Sequence, residues 1–137
     1  MQTKVLAIAS VEKDGKILLR KKPDGSPPYN ETWYMFGAEL NADDQDIEEG
    51  VKNIVKKQTG VDVKMTDKLW WSTETKKDLD GEEKFFVYLY TNFIWVGGEI
   101  VAGEGIERVE WIEEEKVLDY DLVPPAREFY ERKAQQA

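Results

Sequence analysis

At 137 residues, 41% of them hydrophobic, the chain suits a single domain over residues 1–137, long enough to bury about two-thirds of its unfolded surface, and general disorder is excluded. No apolar run reaches the roughly 18 to 20 residues of a membrane span and no signal layout precedes the first strand, so a cytoplasmic protein is expected; the absence of cysteine and histidine excludes disulfides, thiol nucleophiles and the commonest zinc ligands. Acidic residues outnumber basic ones 28 to 19, and the net charge of −9 repels duplex nucleic acid, while a small phosphorylated ligand stays admissible because distant charges are screened over about 8 to 10 Å.

Residues 4–12 alternate loosely between β-branched and small types and lead into Asp14-Gly15, a hairpin turn signal, after which residues 16–22 form a second strand. Pro23, Gly25, Pro27 and Pro28 forbid a regular element, so a loop follows. Residues 33–36 resume as an apolar strand ending at Gly37. From Asp46 onward Ile47, Val51, Ile54 and Val55 recur at helical spacing, Asp46 and Glu49 have the spacing of a capping box, and Gly60 stops the helix. Two long strands at residues 68–75 and 84–94 flank a turn at 77–81, and Gly97-Gly98 marks a break. A strand at residues 107–112 and a helix opening near Pro124-Pro125 complete the chain.

Strands on either side of one central helix, with another helix at the end, indicate an α+β domain with a mixed sheet between helical layers. The segment from Trp33-Tyr34-Met35-Phe36-Gly37-Ala38 to Thr59-Gly60-Val61, with Leu18-Leu19-Arg20-Lys21-Lys22 before it and Glu107 to Ile112 after it, resembles the Nudix hydrolases. Their signature reads G-x5-E-x7-R-E-U-x-E-E-x-G-U, with U a bulky apolar residue. The resemblance implies an α/β/α sandwich and, by family habit, Mg²⁺- or Mn²⁺-dependent cleavage of a nucleoside diphosphate linked to another group.

The signature's carboxylates are replaced here. Anchored on Gly60, R-E-U-x-E-E falls on Asn53-Ile54-Val55-Lys56-Lys57-Gln58, while anchoring on Gly37-Ala38 leaves Asp43, Asp44 or Gln45 in the place of the first glutamate. Magnesium demands hard oxygen ligands. An ammonium at ~4 Å repels a divalent ion by roughly 8 kcal/mol at an effective dielectric of about 20, so no cofactor is expected unless the carboxylates have moved. Glu39 and Glu110 are then the candidate catalytic bases. Arg20, Lys22 and Phe36, placed by the resemblance near the cleft, are candidate substrate-binding residues, as is Lys57, whose ammonium either replaces the missing cation or belongs to a solvated helix face. Adjacent Trp70 and Trp71 point to opposite faces of a strand, which suits core packing plus a homodimer contact, or base stacking. Three functions stay open: a phosphate-ligand binder without standard hydrolysis, a hydrolase with relocated carboxylates, and a protein-interaction module.

Overall fold

The computed structural model describes residues 1–23, 29–40 and 46–135. Strands β1 (Gln2–Lys13) and β2 (Lys16–Lys21) form the expected hairpin, with Asp14 at φ 51° and Gly15 at φ 79°, the two positive angles that a twist-matched two-residue turn requires. The expected single strand at residues 33–36 is in fact two, β3 (Trp33–Tyr34) and β4 (Phe36–Leu40). The chain changes partners at Met35: β3 pairs with β2, whereas β4 pairs with β1 from Val5 to Ala9. Because β1 and β2 pair only at the hairpin end, at Glu12↔Ile17 and Lys13↔Lys16, β2 and β4 diverge beyond it. A cleft opens at that divergence.

Strands β5 (Asp62–Lys77) and β6 (Glu83–Gly97) make a long antiparallel ribbon, and β6 runs parallel to β1 from Gln2↔Lys84 to Glu12↔Ile94, so the sheet is mixed. Strand β7 (Arg108–Glu113) closes the opposite side against β2. Alternation along β1 separates two cores. Ala7, Ala9 and Val11 face helix α1 (Ile47–Thr59) with Phe36, Val51, Val55 and Phe93. Leu6 and Ile8 face the other side, where helix α2 (Pro124–Gln135) buries Phe129 and Tyr130 against Tyr88, Tyr90 and Leu19. A helix on each face of a mixed sheet is the α/β/α sandwich expected from the sequence. A 3-10 turn, Glu114–Asp119, which the sequence did not announce, leads towards α2. No described helix is long and apolar enough to cross a membrane.

The boundaries of α1 follow its caps. The Asp46 carboxylate accepts the Glu49 backbone N–H at 2.7 Å, and Gly60 takes a left-handed φ of 80° while its N–H bonds to the Lys56 carbonyl at 2.9 Å. Asp46→Ala is expected to lower stability by about 1 kcal/mol and Asp46→Asn by much less, read by thermal denaturation. Equal melting temperatures for the alanine variant and the parent would show that this cap does not hold the helix.

The two tryptophans separate as the alternation requires. Trp70 stacks on Phe129 at 5.0 Å between centroids, with the Arg132 guanidinium over it, whereas Trp71 is 67% exposed on the opposite face. Beyond β6, the segment to β7 folds back as a strap over the end of α1. Val101 N–H bonds to the Thr59 carbonyl at 2.7 Å and Gly103 N–H to the Gln58 carbonyl at 2.9 Å, so carbonyls that the helix itself leaves unpaired are satisfied from outside.

Candidate functional site

The divergence of β2 and β4 creates a cavity of about 250 Å³ between the sheet and the start of α2. Its apolar lining comes from Leu6 and Ile8 of β1 and Val123 and Ala126 beside and within α2, and its aromatic lining from Tyr29, Tyr34, Phe36 and Tyr88. Two cations reach it from opposite sides, Arg20 on β2 and Lys76 on β5. A larger cavity, about 540 Å³, lies between the 3-10 turn and the end of α2. It is the poorer candidate for a phosphate, since Glu114 and Glu115 line it and its one cation, Lys133, already serves Glu12 and Glu114.

Arg20 is the unusual group. Its Nε donates to the Met35 carbonyl at 3.2 Å, the carbonyl at which the chain changes partners, and its guanidinium lies 4.8 Å from the Tyr34 ring and 6.0 Å from that of Phe36. Among the described residues no carboxylate comes within ion-pair reach of it. Burial pushes its pKa down to about 10, a shift that the neighbouring Tyr34 hydroxyl partly opposes. The Tyr34 hydroxyl is itself buried and makes no well-formed hydrogen bond among the described residues, and burial raises its pKa. Lys22 adds a second cation 4.7 Å from the centroid of the Tyr34 ring and donates to the Tyr29 carbonyl at 3.3 Å; burial first, then Arg20, lowers its pKa.

The wall formed by β5 and β6 is built differently. One Glu74 carboxylate oxygen accepts from the Tyr88 hydroxyl at 3.0 Å and from the Tyr29 hydroxyl at 3.3 Å, and the Lys76 ammonium lies 3.3 Å away. Lys76 also donates to the Tyr29 hydroxyl oxygen and sits 4.4 Å from the Tyr29 ring centroid. Burial is the largest cause of the raised pKa of both tyrosines, and Glu74 adds to it.

The structure gathers only some of the residues singled out from sequence. Arg20 and Phe36 line the cavity, and Lys22 flanks it on the Tyr34 ring. Lys57 does not: it is exposed in the last turn of α1, where a positive charge suits the negative end of the helix, so the solvated-face alternative describes its position. Glu39 is exposed and 3.9 Å from Lys4, and Glu110 is paired with Arg108 on the edge strand β7; neither lines the cavity. Tyr29, Glu74, Lys76 and Tyr88 were not singled out. The available signal was the alternation Glu74, Lys76 on one strand, which places both on one face.

Along α1, Asn53 and Lys57 are exposed, Ile54 packs on the core beneath the helix, and the Gln58 side-chain oxygen is buried without a hydrogen-bond partner among the described residues. Among the described residues no three carboxylates converge where a metal ion could be held, and Asp43, Asp44 and Gln45 lie outside them. One neutral amide oxygen beside an isoleucine and a lysine does not fit a magnesium ion.

The chain matches the NUDIX domain over residues 1–133. It is 23% identical over 128 residues to the nucleoside triphosphatase NudI of Shigella flexneri, covering 89% of this chain and 90% of that protein. The MutT protein of Methanosarcina mazei Go1 superposes with a TM-score of 0.72 at 19% identity, covering 98% of this chain and 95% of that one. The NUDIX domain of Shewanella oneidensis NrtR, crystallised with ADP ribose, superposes with a TM-score of 0.69 at 17% identity, covering 99% and 88%.

Proposed function

The chain belongs to the NUDIX domain family, and from that membership we propose that it binds a nucleotide or related phosphorylated small molecule in the Arg20 cavity without the family's metal-dependent hydrolysis. The observation that carries this reading is Arg20: a guanidinium without a carboxylate partner among the described residues, held over two aromatic rings at a cavity. Burying a cation without an anion is unfavourable, and an anionic ligand supplies the missing counter-charge. Aromatic walls beside it suit the flat faces of a base. A nucleoside triphosphatase among the relatives and a NUDIX domain holding ADP ribose among the structural neighbours make nucleoside di- and triphosphates and their sugar conjugates the first ligands to try.

The loss of hydrolysis rests on α1. Where the signature requires three glutamates the chain has Ile54, Lys57 and Gln58, and no step through a metal is derived from them. Glu39 and Glu110 are the carboxylates a relocated mechanism would use, yet both are ion-paired and neither reaches the cavity lining.

Thermal denaturation in excess chelator, beside a phosphate-release assay with Mg²⁺ or Mn²⁺, tests the reading. Stabilisation by nucleotides of several degrees with no metal-stimulated turnover is expected. Metal-dependent turnover that disappears in Gln58→Ala, Glu39→Gln or Glu110→Gln would overturn the loss of hydrolysis, and no stabilisation by any nucleotide would overturn the binding.

A further inference from the structure

The face of the sheet turned away from the Arg20 cavity is only partly covered. Helix α1 closes it over Ala7, Ala9, Val11 and Phe93, and the apolar cluster beneath the helix does not extend to Trp71, Phe85 or Val87. Through the register that joins Ala7 to Leu89 and Leu89 to Trp71, the strand residues beyond the helix share this face: Trp71, Thr73 and Thr75 of β5 lie beside Leu89, Val87 and Phe85 of β6. Trp71 is 67% exposed, Phe85 37%, and Leu69, at the bulge before Trp71, 38%. These three alone present on the order of 300 Å² of apolar surface, a size that on a monomer marks an interaction site.

Charge selects the occupant. Two copies of a chain carrying −9 repel one another over most of their surface. None of the six face residues is charged, and the next residues along the same strands on the same face, Lys77 and Glu83, are cross-strand neighbours of opposite sign. A second copy approaches here without that penalty, whereas a strongly basic or acidic partner finds no counter-charge. Pairing through the outer strand β5 is blocked instead: register shifts between Met65 and Asp67 and between Lys68 and Trp71 interrupt its ladder, and bulges of this kind turn an edge away from a new strand. The face is the surface that fits.

Its shape is complementary to itself. Beside Trp71 and Leu89 the bulge leaves a mostly apolar recess of about 200 Å³, lined also by Ile47 and Leu69. An apolar space of about 150 Å³ already holds a benzene ring. The pair Thr73↔Val87 is a midpoint: the recess lies two residues to one side, at Trp71↔Leu89, and the exposed Phe85 ring two residues to the other, at Thr75↔Phe85. A two-fold axis crossing the strands at that midpoint carries each Phe85 onto the other copy's recess, the reciprocal contact of an isologous interface. We propose that this face pairs two copies of the chain, sheet against sheet, with Thr73 at the axis and Phe85 of each copy packed beside Trp71 of the other. Such a contact buries roughly 1,200 Å² over both copies, the lower end of specific interfaces, so the dimer is reversible in the micromolar range. The Arg20 cavity, on the opposite face, stays open in it.

Sedimentation velocity of the whole chain, across the micromolar concentration range, tests the pairing. The parent is expected to interconvert between monomer and dimer. Trp71→Arg, Phe85→Glu and Thr73→Glu, all at exposed positions, are each expected to weaken the dimer about tenfold or more while keeping the parent's circular dichroism spectrum. An equimolar mixture of Trp71→Arg and Phe85→Glu is expected to recover a heterodimer, because one Trp71 to Phe85 contact survives in it and the other becomes an ion pair. A parent that stays monomeric throughout, a dimer that the three variants leave intact, or a mixture that does not associate would each overturn the proposal. Should either of the first two variants lose the parent's spectrum, Thr73→Glu, which alters only a surface threonine, still decides whether this face holds the dimer.

Discussion

Arg20→Met is expected to lower affinity for a nucleotide by about 100-fold while leaving the melting temperature of the free protein unchanged or raised. The two effects have one origin. Holding the Arg20 pKa down at about 10 means that folding disfavours the charged form, a cost on the order of 3 kcal/mol at neutral pH. That cost is fully present below pH about 10 and is relieved only as the pH rises towards the ordinary arginine value. The contacts with the Tyr34 and Phe36 rings offset part of it. Methionine keeps much of the stem's packing and discards the charge, so stability does not suffer, but the phosphate loses its counter-charge. Calorimetric titration in chelator and a thermal melt read the two halves separately. Unchanged affinity would place the ligand elsewhere, and a large drop in melting temperature would make Arg20 a structural residue.

Gly103→Ala is expected to destabilise the protein by about 2–4 kcal/mol, lowering the melting temperature by roughly 10 °C. A methyl group there would stand 2.3 Å from the Lys57 carbonyl oxygen and 3.1 Å from the Gln58 Cα, and neither atom belongs to a flexible side chain. Relief requires moving the strap away from α1 and stretching the Gly103 to Gln58 hydrogen bond. Gly50→Ala is the contrasting change: its new methyl would meet only the Ala38 Cβ, at 3.9 Å, inside a helix where alanine is preferred by up to about 1 kcal/mol. A Gly103→Ala protein melting with the parent would show that the strap is not clamped on the helix.

Much of this architecture could be read from the chain alone, because local chemistry decides it. Asp14-Gly15 sets the hairpin, Asp46 and Gly60 bound α1, and the spacing of Val51 and Val55 buries one helix face, all within a few residues of sequence. What escaped depends on partners far away. Nothing in Trp33-Tyr34-Met35-Phe36 says that two residues pair with β2 and the next with β1, yet that exchange at Met35 opens the cavity. The contact of Gly103 with Gln58 likewise exists only once the strap has folded back over the helix.

The site was legible in the same uneven way. The resemblance points to the cleft for Arg20, Lys22 and Phe36, and in the structure Arg20 and Phe36 line the cavity while Lys22 lies beside it. Lys57 drew attention for its charge, but a charge at the end of a helix is as readily a dipole partner, and it is exposed. Glu74 and Lys76 looked like ordinary alternating residues of an edge ribbon until Tyr29 and Tyr88 were brought against them across 45 and 14 positions of sequence.

The most direct test of a metal-independent phosphate site is a crystal grown in chelator and soaked with a nucleoside diphosphate, then examined again after magnesium is restored. Phosphate oxygens on the Arg20 guanidinium, a ring against Tyr34, and no ion beside Ile54, Lys57 and Gln58 are the expected result. Magnesium coordinated along that helical segment, with the nucleotide cleaved, would contradict it.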